Sequence, residues 1–264
     1  MTSGNTRWLS WIAYLSLAEG FVLVALTAAA PLGIWLGLWE YDTGLQMLFG
    51  LGDEGPFVRS WGRWVAVELL LAAIAIIVLA RVLGATNGPK LASLALVGMA
   101  LSAAAYYVPA AYVPGPEIPL IHDISTDTEN PPEFVDIRPL RADAPNTTVY
   151  GGGENQTPAS LAAQQREAYP DIVPLTLDRS PEEVFANALA AAESLGWDIV
   201  AAVPEQGRIE ATDTTFWFRF KDDIVIRIRP APTGTVLDAR SVSRVGLSDG
   251  GKNAARLREY LAAL

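Results

Sequence analysis

Arginines, serines, an aspartate and a glycine pair crowd the stretch ARSVSRVGLSDGGKNAARLREYL, residues 239–261. Read as a strand, residues 235–245 put Arg240, Val242 and Arg244 on one face and Ala239, Ser241 and Ser243 on the other. A turn and a helix start follow. Ser248 and Asp249 are good N-caps, Gly250 and Gly251 permit a tight backbone, and residues 252–264 carry Leu257, Leu261 and Leu264 on one apolar stripe. Guanidinium groups beside helix amides that point outward are suited to holding an anion, with Arg240, Ser243, Arg244 and Asp249 as the candidates. The competing reading is a polar edge on a small α+β domain.

A second chemical stretch, IHDISTDTENPPEF at residues 121–134, holds the single histidine, His122, beside Asp123, Asp127, Glu129 and Glu133. Calcium would need the spacing of a D-x-[DN]-x-[DN]-G loop, which this stretch fails, and zinc would need more than one imidazole in a chain without cysteine. His122 would be the only base for a catalytic triad, and no G-x-S-x-G elbow holds a nucleophile. The pattern predicts an extended acidic strap held by Asx and ST turns around Asp127, Thr128 and Asn130. Neither a metal nor another cofactor is expected.

These residues need a scaffold, which the pattern places at residues 171–264. A short strand at 172–177 precedes the clearest helix signal in the chain: Ser180 as N-cap, Pro181 at the first position and Glu183 closing a capping box. That helix is predicted to run to about Leu195, with Val184, Phe185, Ala188, Leu189 and Ala192 inward, and to end at Gly196. Strands are expected at 197–203, 208–214, 215–221, 224–229 and 235–245, making an antiparallel sheet with helices on one face. Alternation gives the core side to Phe216, Phe218 and Phe220 and to Ile224, Ile226 and Ile228. The opposite side collects Trp217, Arg219, Lys221, Arg227, Arg229, Arg240 and Arg244. Such a face is either solvated or receives acidic material: the strap, lipid headgroups or a partner protein.

Before this domain the chemistry is apolar. Hydrophobic residues make up 51% of the 264, and 23 of the 29 acidic and 14 of the 19 basic residues fall after position 116, so most of the net charge of −10 lies there. An acidic balance argues against nucleic-acid binding. Residues 8–30, 64–83 and 91–110 are each long and apolar enough to cross a bilayer core of roughly 30 Å, at about 1.5 Å rise per residue. Trp8, Trp11, Trp35, Trp39, Tyr41, Trp61, Trp64, Tyr106, Tyr107 and Tyr112 flank them as aromatic belts. The organisation is therefore a three-helix transmembrane anchor at 1–112, an extended strap with a mobile loop at 113–170 that adds at most two helical turns after Pro158, and the α+β domain. A cleaved signal peptide is the alternative for the first segment, with Ala28 to Ala30 before Pro31 as its cleavage site, but the apolar stretch is longer than such peptides use. Arg7, Arg81 and Lys90 on one side outnumber Arg59 and Arg63 on the other, which favours a cytoplasmic N-terminus and an exported C-terminal domain.

Glu19 and Glu68 lie within predicted spans, where acids are costly and usually face a partner or a wet cavity. Glu68 is expected near the headgroups, and Glu19 to hydrogen-bond within the bundle or to another membrane protein. Three spans without a broken-helix repeat speak against a transporter.

The motifs IHDISTDTENPP, QREAYPDIVPL and RSVSRVGLSDGGKN together resemble a bacterial family numbered 1499 among domains of unknown function, in its membrane-anchored form. The resemblance spans about residues 117–264 and supplies no reaction and no catalytic residues. It implies an uncharacterised membrane protein and draws attention to Asp123, Asp127, Arg240, Ser243, Arg244 and Asp249. Two functions follow. One is a non-enzymatic accessory protein, with the helices against a membrane complex (Gly98, Ser102, Ala103 and Ala104 permitting close contact) and the exported domain docked on a partner or lipid surface. The other is a carrier or enzyme for an anionic or lipidic small molecule, Arg240 and Arg244 holding the anion and Asp123 or His122 moving a proton.

Overall fold

The structure, a computed structural model, describes residues 7–49, 57–111, 115, 117–153 and 156–264, without the side chains of 57–63. Tyr112, Asp53 and Glu54, and the side chains of Arg59, Trp61 and Arg63, lie outside the described residues. The chain divides into two compact units, Met1–Val113 and Pro114–Leu264.

The first unit holds α1 (Arg7–Trp35), α2 (Tyr41–Phe49), α3 (Phe57–Val82) and α4 (Gly88–Ala110). Three of these are long and apolar enough to cross a membrane, with α3 counted from Trp64. Helix α4 is central, packing along both α1 and α3. Its small residues set the distance to α1. A Cβ on Gly98 would stand 2.2 Å from the Ser16 carbonyl oxygen, and one on Gly20 would stand 2.5 Å from that of Gly98, so the two backbones touch. Ser102 is fully buried and donates to the Gly98 carbonyl at 3.0 Å. Helix α2 was not anticipated. Helix α1 continues through Pro31 to Trp35, and α3 starts seven residues before Trp64, so Glu68 lies three turns into the helix while remaining near one end of the apolar span counted from Trp64.

The second unit is built on one antiparallel sheet: β1 (Asp123–Ser125), β2 (Leu175–Leu177), β3 (Asp198–Val203), β4 (Arg208–Thr214), β5 (Lys221–Pro230) and β6 (Thr235–Ser243). The order is β1-β6-β5-β4-β3, and β2 also pairs with β6. Strand β1 pairs with 240–242 and β2 with 235–237, so two short strands lie end to end along one flank of β6. Helices α6 (Pro181–Ser194) and α7 (Lys252–Ala262) pack on one face, where Val184, Ala188, Ala192, Leu257 and Tyr260 meet Ile209, Ile224, Ile226 and Leu237. The capping box of α6 is present: Glu183 N donates to Ser180 Oγ at 3.2 Å and Ser180 N to a Glu183 carboxylate oxygen at 3.1 Å.

Four expectations need correction. Of the strand expected at 215–221, residues 215–220 are instead the β4–β5 hairpin loop and Lys221 already opens β5; the loop is closed by Thr215 N donating to Phe220 O at 2.8 Å, Phe216 is exposed, and neither it nor Phe218 and Phe220 joins the core. The period-two aromatics mislead because Arg219 takes a left-handed φ of 56°, which breaks the extended run. Helix α5 (Pro158–Ala168) has three turns, started by a Thr157–Ser160 capping box in place of the usual Glu or Gln. The N-cap of α7 is Gly251 in the left-handed region, not Ser248 or Asp249. Finally, of the two readings of the basic face, solvated or receiving acidic material, the solvated one is set aside for Arg227, Arg240 and Arg244. Residues 126–150, the strap expected there, cover them, with Phe134 and Ile137 packed on Val225 and Val242, whereas Trp217 and Arg219 lie in the exposed hairpin loop.

Candidate functional site

Strand alternation sends Arg240 of β6, Arg227 and Arg229 of β5, and Arg208 and Glu210 of β4 to the face beneath the strap, where Arg244, the residue after β6, joins them. Arg240 is 2% exposed. Its Nε and Nη2 donate to the two oxygens of Asp123, both at 2.8 Å, while Nη1 reaches Pro132 O at 3.1 Å and Nη2 also reaches Thr148 O at 2.8 Å. The guanidinium lies between the rings of Phe134 and Tyr150, 5.4 and 5.3 Å from their centroids. Burial, with the Asp123 charge beside it, pushes the Tyr150 hydroxyl well above its ordinary pKa.

Arg244 grips Asp223 with Nε and Nη2, both at 2.9 Å, and Nη1 donates to Leu140 O at 3.0 Å. Arg141 from the strap adds a third contact to the same carboxylate at 3.0 Å, and Thr212 Oγ1 a fourth at 2.7 Å. Arg227 joins Asp238 and Asp127 and donates to Asn130 O at 2.9 Å; Arg229 meets Asp238 at 2.7 Å. Asp127 does form an Asx turn, accepting from Glu129 N at 3.2 Å and Asn130 N at 2.9 Å.

On the helix face, Ser243 and Asp249 belong to a separate cluster around α7. Asn253 Nδ2 donates to Ser243 Oγ at 3.0 Å and His122 O at 2.9 Å, and its Oδ1 accepts from Ser241 Oγ at 2.6 Å and from Arg256. Asp249 accepts from Gly251 N at 2.8 Å and Asn253 N at 2.7 Å, so its carboxylate occupies the amides of the helix start. Burial raises the pKa of Asp249, against the pull of these backbone donors. His122 is half-buried with Nδ1 3.4 Å from Leu247 O, and Glu129 is exposed, 3.9 Å from Arg166.

The structure thus divides the candidates by sheet face. Arg240 with Asp123, Arg244, and Arg227 and Arg229 with Asp127 lie under the strap; Ser243 and Asp249 do not join them. Glu19 and Glu68 are exposed on the surfaces of α1 and α3 and close enough to interact electrostatically. Among the described residues, no group of three His, Cys, Asp or Glu is placed to hold a metal ion.

Several residues of this network escaped sequence reasoning. Glu210, fully buried, accepts from the backbone N–H groups of Val135 at 2.8 Å, Asp136 at 3.2 Å and Ile137 at 2.8 Å, and pairs with Arg208. It alternates with Ile209 and Ala211, so extending the period-two pattern through β4 would have found it. Asp223 and Asp238 were legible in the same way. Gln165 stood in the sequence only as the first residue of the QREAYPDIVPL motif, with no role attached: its side chain accepts from Ser125 N at 2.9 Å and donates to Ser125 O at 2.6 Å, acting as a partner for the outer edge of β1. Chemically, this arrangement fastens a strap. An external anion could reach Arg240 only by displacing Asp123, and Arg244 only by displacing Asp223.

Residues 123–264 match the model of a family described as a protein of unknown function, DUF1499. No curated protein matches the chain.

Proposed function

We propose, from the premise that this chain belongs to the DUF1499 family, whose function is unknown, that it is a non-enzymatic accessory or scaffolding protein. In this reading the N-terminal helices hold it in the cell membrane and the α+β domain is presented on the outer, periplasmic side. One observation carries it: the motif arginines that could have bound a substrate anion are consumed internally, Arg240 by Asp123 and two strap carbonyls while 2% exposed. A domain that spends its charges on fixing its own shape offers a rigid surface.

The anchor supplies the second element. An exposed carboxylate on a membrane helix is unfavourable by about 2.5 kcal/mol or more, and a neighbouring helix that donates hydrogen bonds offsets this cost. Glu19 and Glu68 would be the points at which a membrane complex engages α1 and α3. Purification in mild detergent, with mass spectrometry of bound proteins and lipids, tests the proposal. A stoichiometric protein partner, lost in Glu19→Leu, is the expected result; a lone protein carrying one defined small molecule would overturn it in favour of a carrier.

A further inference from the structure

The β4–β5 hairpin loop presents Phe216 and Trp217 to the outside, 66% and 46% exposed, followed by exposed Arg219 and Lys221. The loop is ordered by design. Phe220 N donates to Thr215 Oγ1 at 2.9 Å, Phe218 and Phe220 stack at 5.7 Å, and Phe216 meets Trp217 edge-on at 5.1 Å. Arg219 is the one non-glycine among the described residues with a left-handed φ, a conformation that a bulky side chain adopts at a cost. Two further exposed leucines share this end of the sheet. The registers Thr214↔Lys221, Asp222↔Ser243 and Asp123↔Val242 align the hairpin tip with the loop after β6 and the entry to β1. Those segments carry Leu247, 79% exposed, and Leu120, 72% exposed. They are joined by Ser248 Oγ donating to Pro119 O at 3.2 Å and Arg244 N donating to Lys221 O at 3.0 Å.

Two arguments identify what covers this end. The first is chain length. Leu120 follows Ala110, the end of α4, by ten residues, and at full extension these reach about 35 Å, so the covalent link alone keeps Leu120 within that distance of the end of α4. The second is chemical. Aromatic side chains next to Arg and Lys suit the boundary between acyl chains and anionic headgroups, and these cations sit on a domain that is otherwise acidic.

We propose that Phe216, Trp217, Leu247 and Leu120, flanked by Arg219 and Lys221, form a lipid-docking tip that seats the domain on the anionic surface of its own bilayer. The tip deepens the accessory reading, since a domain seated on lipid presents its remaining surfaces to a partner in a fixed orientation. The basic sheet face takes no part, because the strap already occupies it.

The full chain lacks cysteine, so one introduced cysteine gives one labelled position. Leu247→Cys and Glu205→Cys, the latter in the β3–β4 turn at the opposite end of the sheet, are labelled with an environment-sensitive fluorophore. The protein is reconstituted in vesicles of phosphatidylglycerol and phosphatidylcholine with brominated acyl chains. Quenching at Leu247→Cys is expected to exceed that at Glu205→Cys by about threefold, and to drop to the control level when Phe216→Ser and Trp217→Ser are added. Equal quenching at the two positions overturns the proposal, as does quenching that the double substitution leaves unchanged. Because no other protein is present, a failure here with a co-purifying partner still found would sink only the tip. Quenching without any partner would sink only the accessory role.

Discussion

The two faces of the second unit's sheet are made by the same strands and held by different forces. Toward α6 and α7, Ile209, Ala211, Ile224, Ile226, Ile228 and Leu237 meet an amphipathic helix pair whose backbone groups are satisfied internally, so apolar burial suffices. Toward the strap, the same strands bring Arg208, Glu210, Asp223, Arg227, Asp238, Arg240 and Arg244. The strap is largely irregular chain interrupted by Pro131, Pro132, Pro139 and Pro145, and its peptide groups have no ladder to join. Buried peptide groups need partners. The charged side chains supply them: Glu210 accepts three strap N–H groups, while Arg227, Arg240 and Arg244 donate to the carbonyls of Asn130, Pro132, Thr148 and Leu140. A charged sheet face is thus what lets an irregular segment be buried.

If so, the strap face is the more fragile to one-sided change. Arg240→Met leaves Asp123 buried and unpaired and frees two carbonyls, with an expected loss of about 3–5 kcal/mol and new protease cleavage between Asn130 and Tyr150. Adding Asp123→Leu is expected to restore part of that loss, because the orphaned charge is gone. A double variant no more stable than the single one would count against the ionic account. Denaturant titration with limited proteolysis reads both.

The helix face answers differently. Leu257→Ala opens a cavity at a fully buried position and is expected to cost about 2–4 kcal/mol, with no preferential cleavage of the strap before global unfolding. Selective strap cleavage in this variant would mean that the two faces unfold together and that the contrast between them is not real.

The helix face was legible in the sequence and the strap face only in part, for a physical reason. Ser180, Pro181 and Glu183 start α6 through local geometry, and the Ile224, Ile226, Ile228 alternation assigns its face without knowing the partner. Charge pairing across 117 residues, as between Arg240 and Asp123, leaves no local periodicity. The arginines were visible as one stripe, and the acidic strap that carries Asp123 and Asp127 was one of the occupants expected for it, but the individual pairs were not legible and Asp223 and Asp238 from the sheet were not assigned to them. Phe216 to Phe220 show the opposite failure: the local pattern was strong, and a left-handed residue at Arg219 made it a loop.

Asp249 separates the clusters by pH. Burial raises its pKa in the folded state, so the protonated form is favoured by folding. Its contribution is fully present below the unfolded value, about 3.9, and is lost as pH rises through the folded value. Asp249→Asn keeps an acceptor for one of the two amides and cannot ionise. The expected result is a wild-type stability that falls relative to this variant as pH rises from about 4, read as the difference between two denaturation series. A constant difference across that range would mean that the carboxylate ionises without penalty, stabilised fully by Gly251 N, Asn253 N and nearby Arg256.

The smallest effect tests whether burial, and not the ion pair itself, makes the strap face decisive. Arg258 grips Asp171 with two bonds of 2.5 and 2.7 Å, no longer than the two of 2.8 Å between Arg240 and Asp123, while lying over the Tyr169 ring at 5.3 Å. Both partners are about half exposed, 45% and 53% at their side chains. The hydrogen bond from Arg258 lowers the Asp171 pKa, so its contribution is present above the unfolded value of about 3.9 and is lost as pH falls through the folded one. Solvent screening limits the pair, and Asp171→Asn is expected to cost no more than about 0.5 kcal/mol, falling further in high salt. A loss comparable to that of Arg240→Met would show that geometry alone sets the strength of these pairs. A small, salt-sensitive loss would instead assign the difference to desolvation, because the two pairs share bidentate geometry and differ in their access to water.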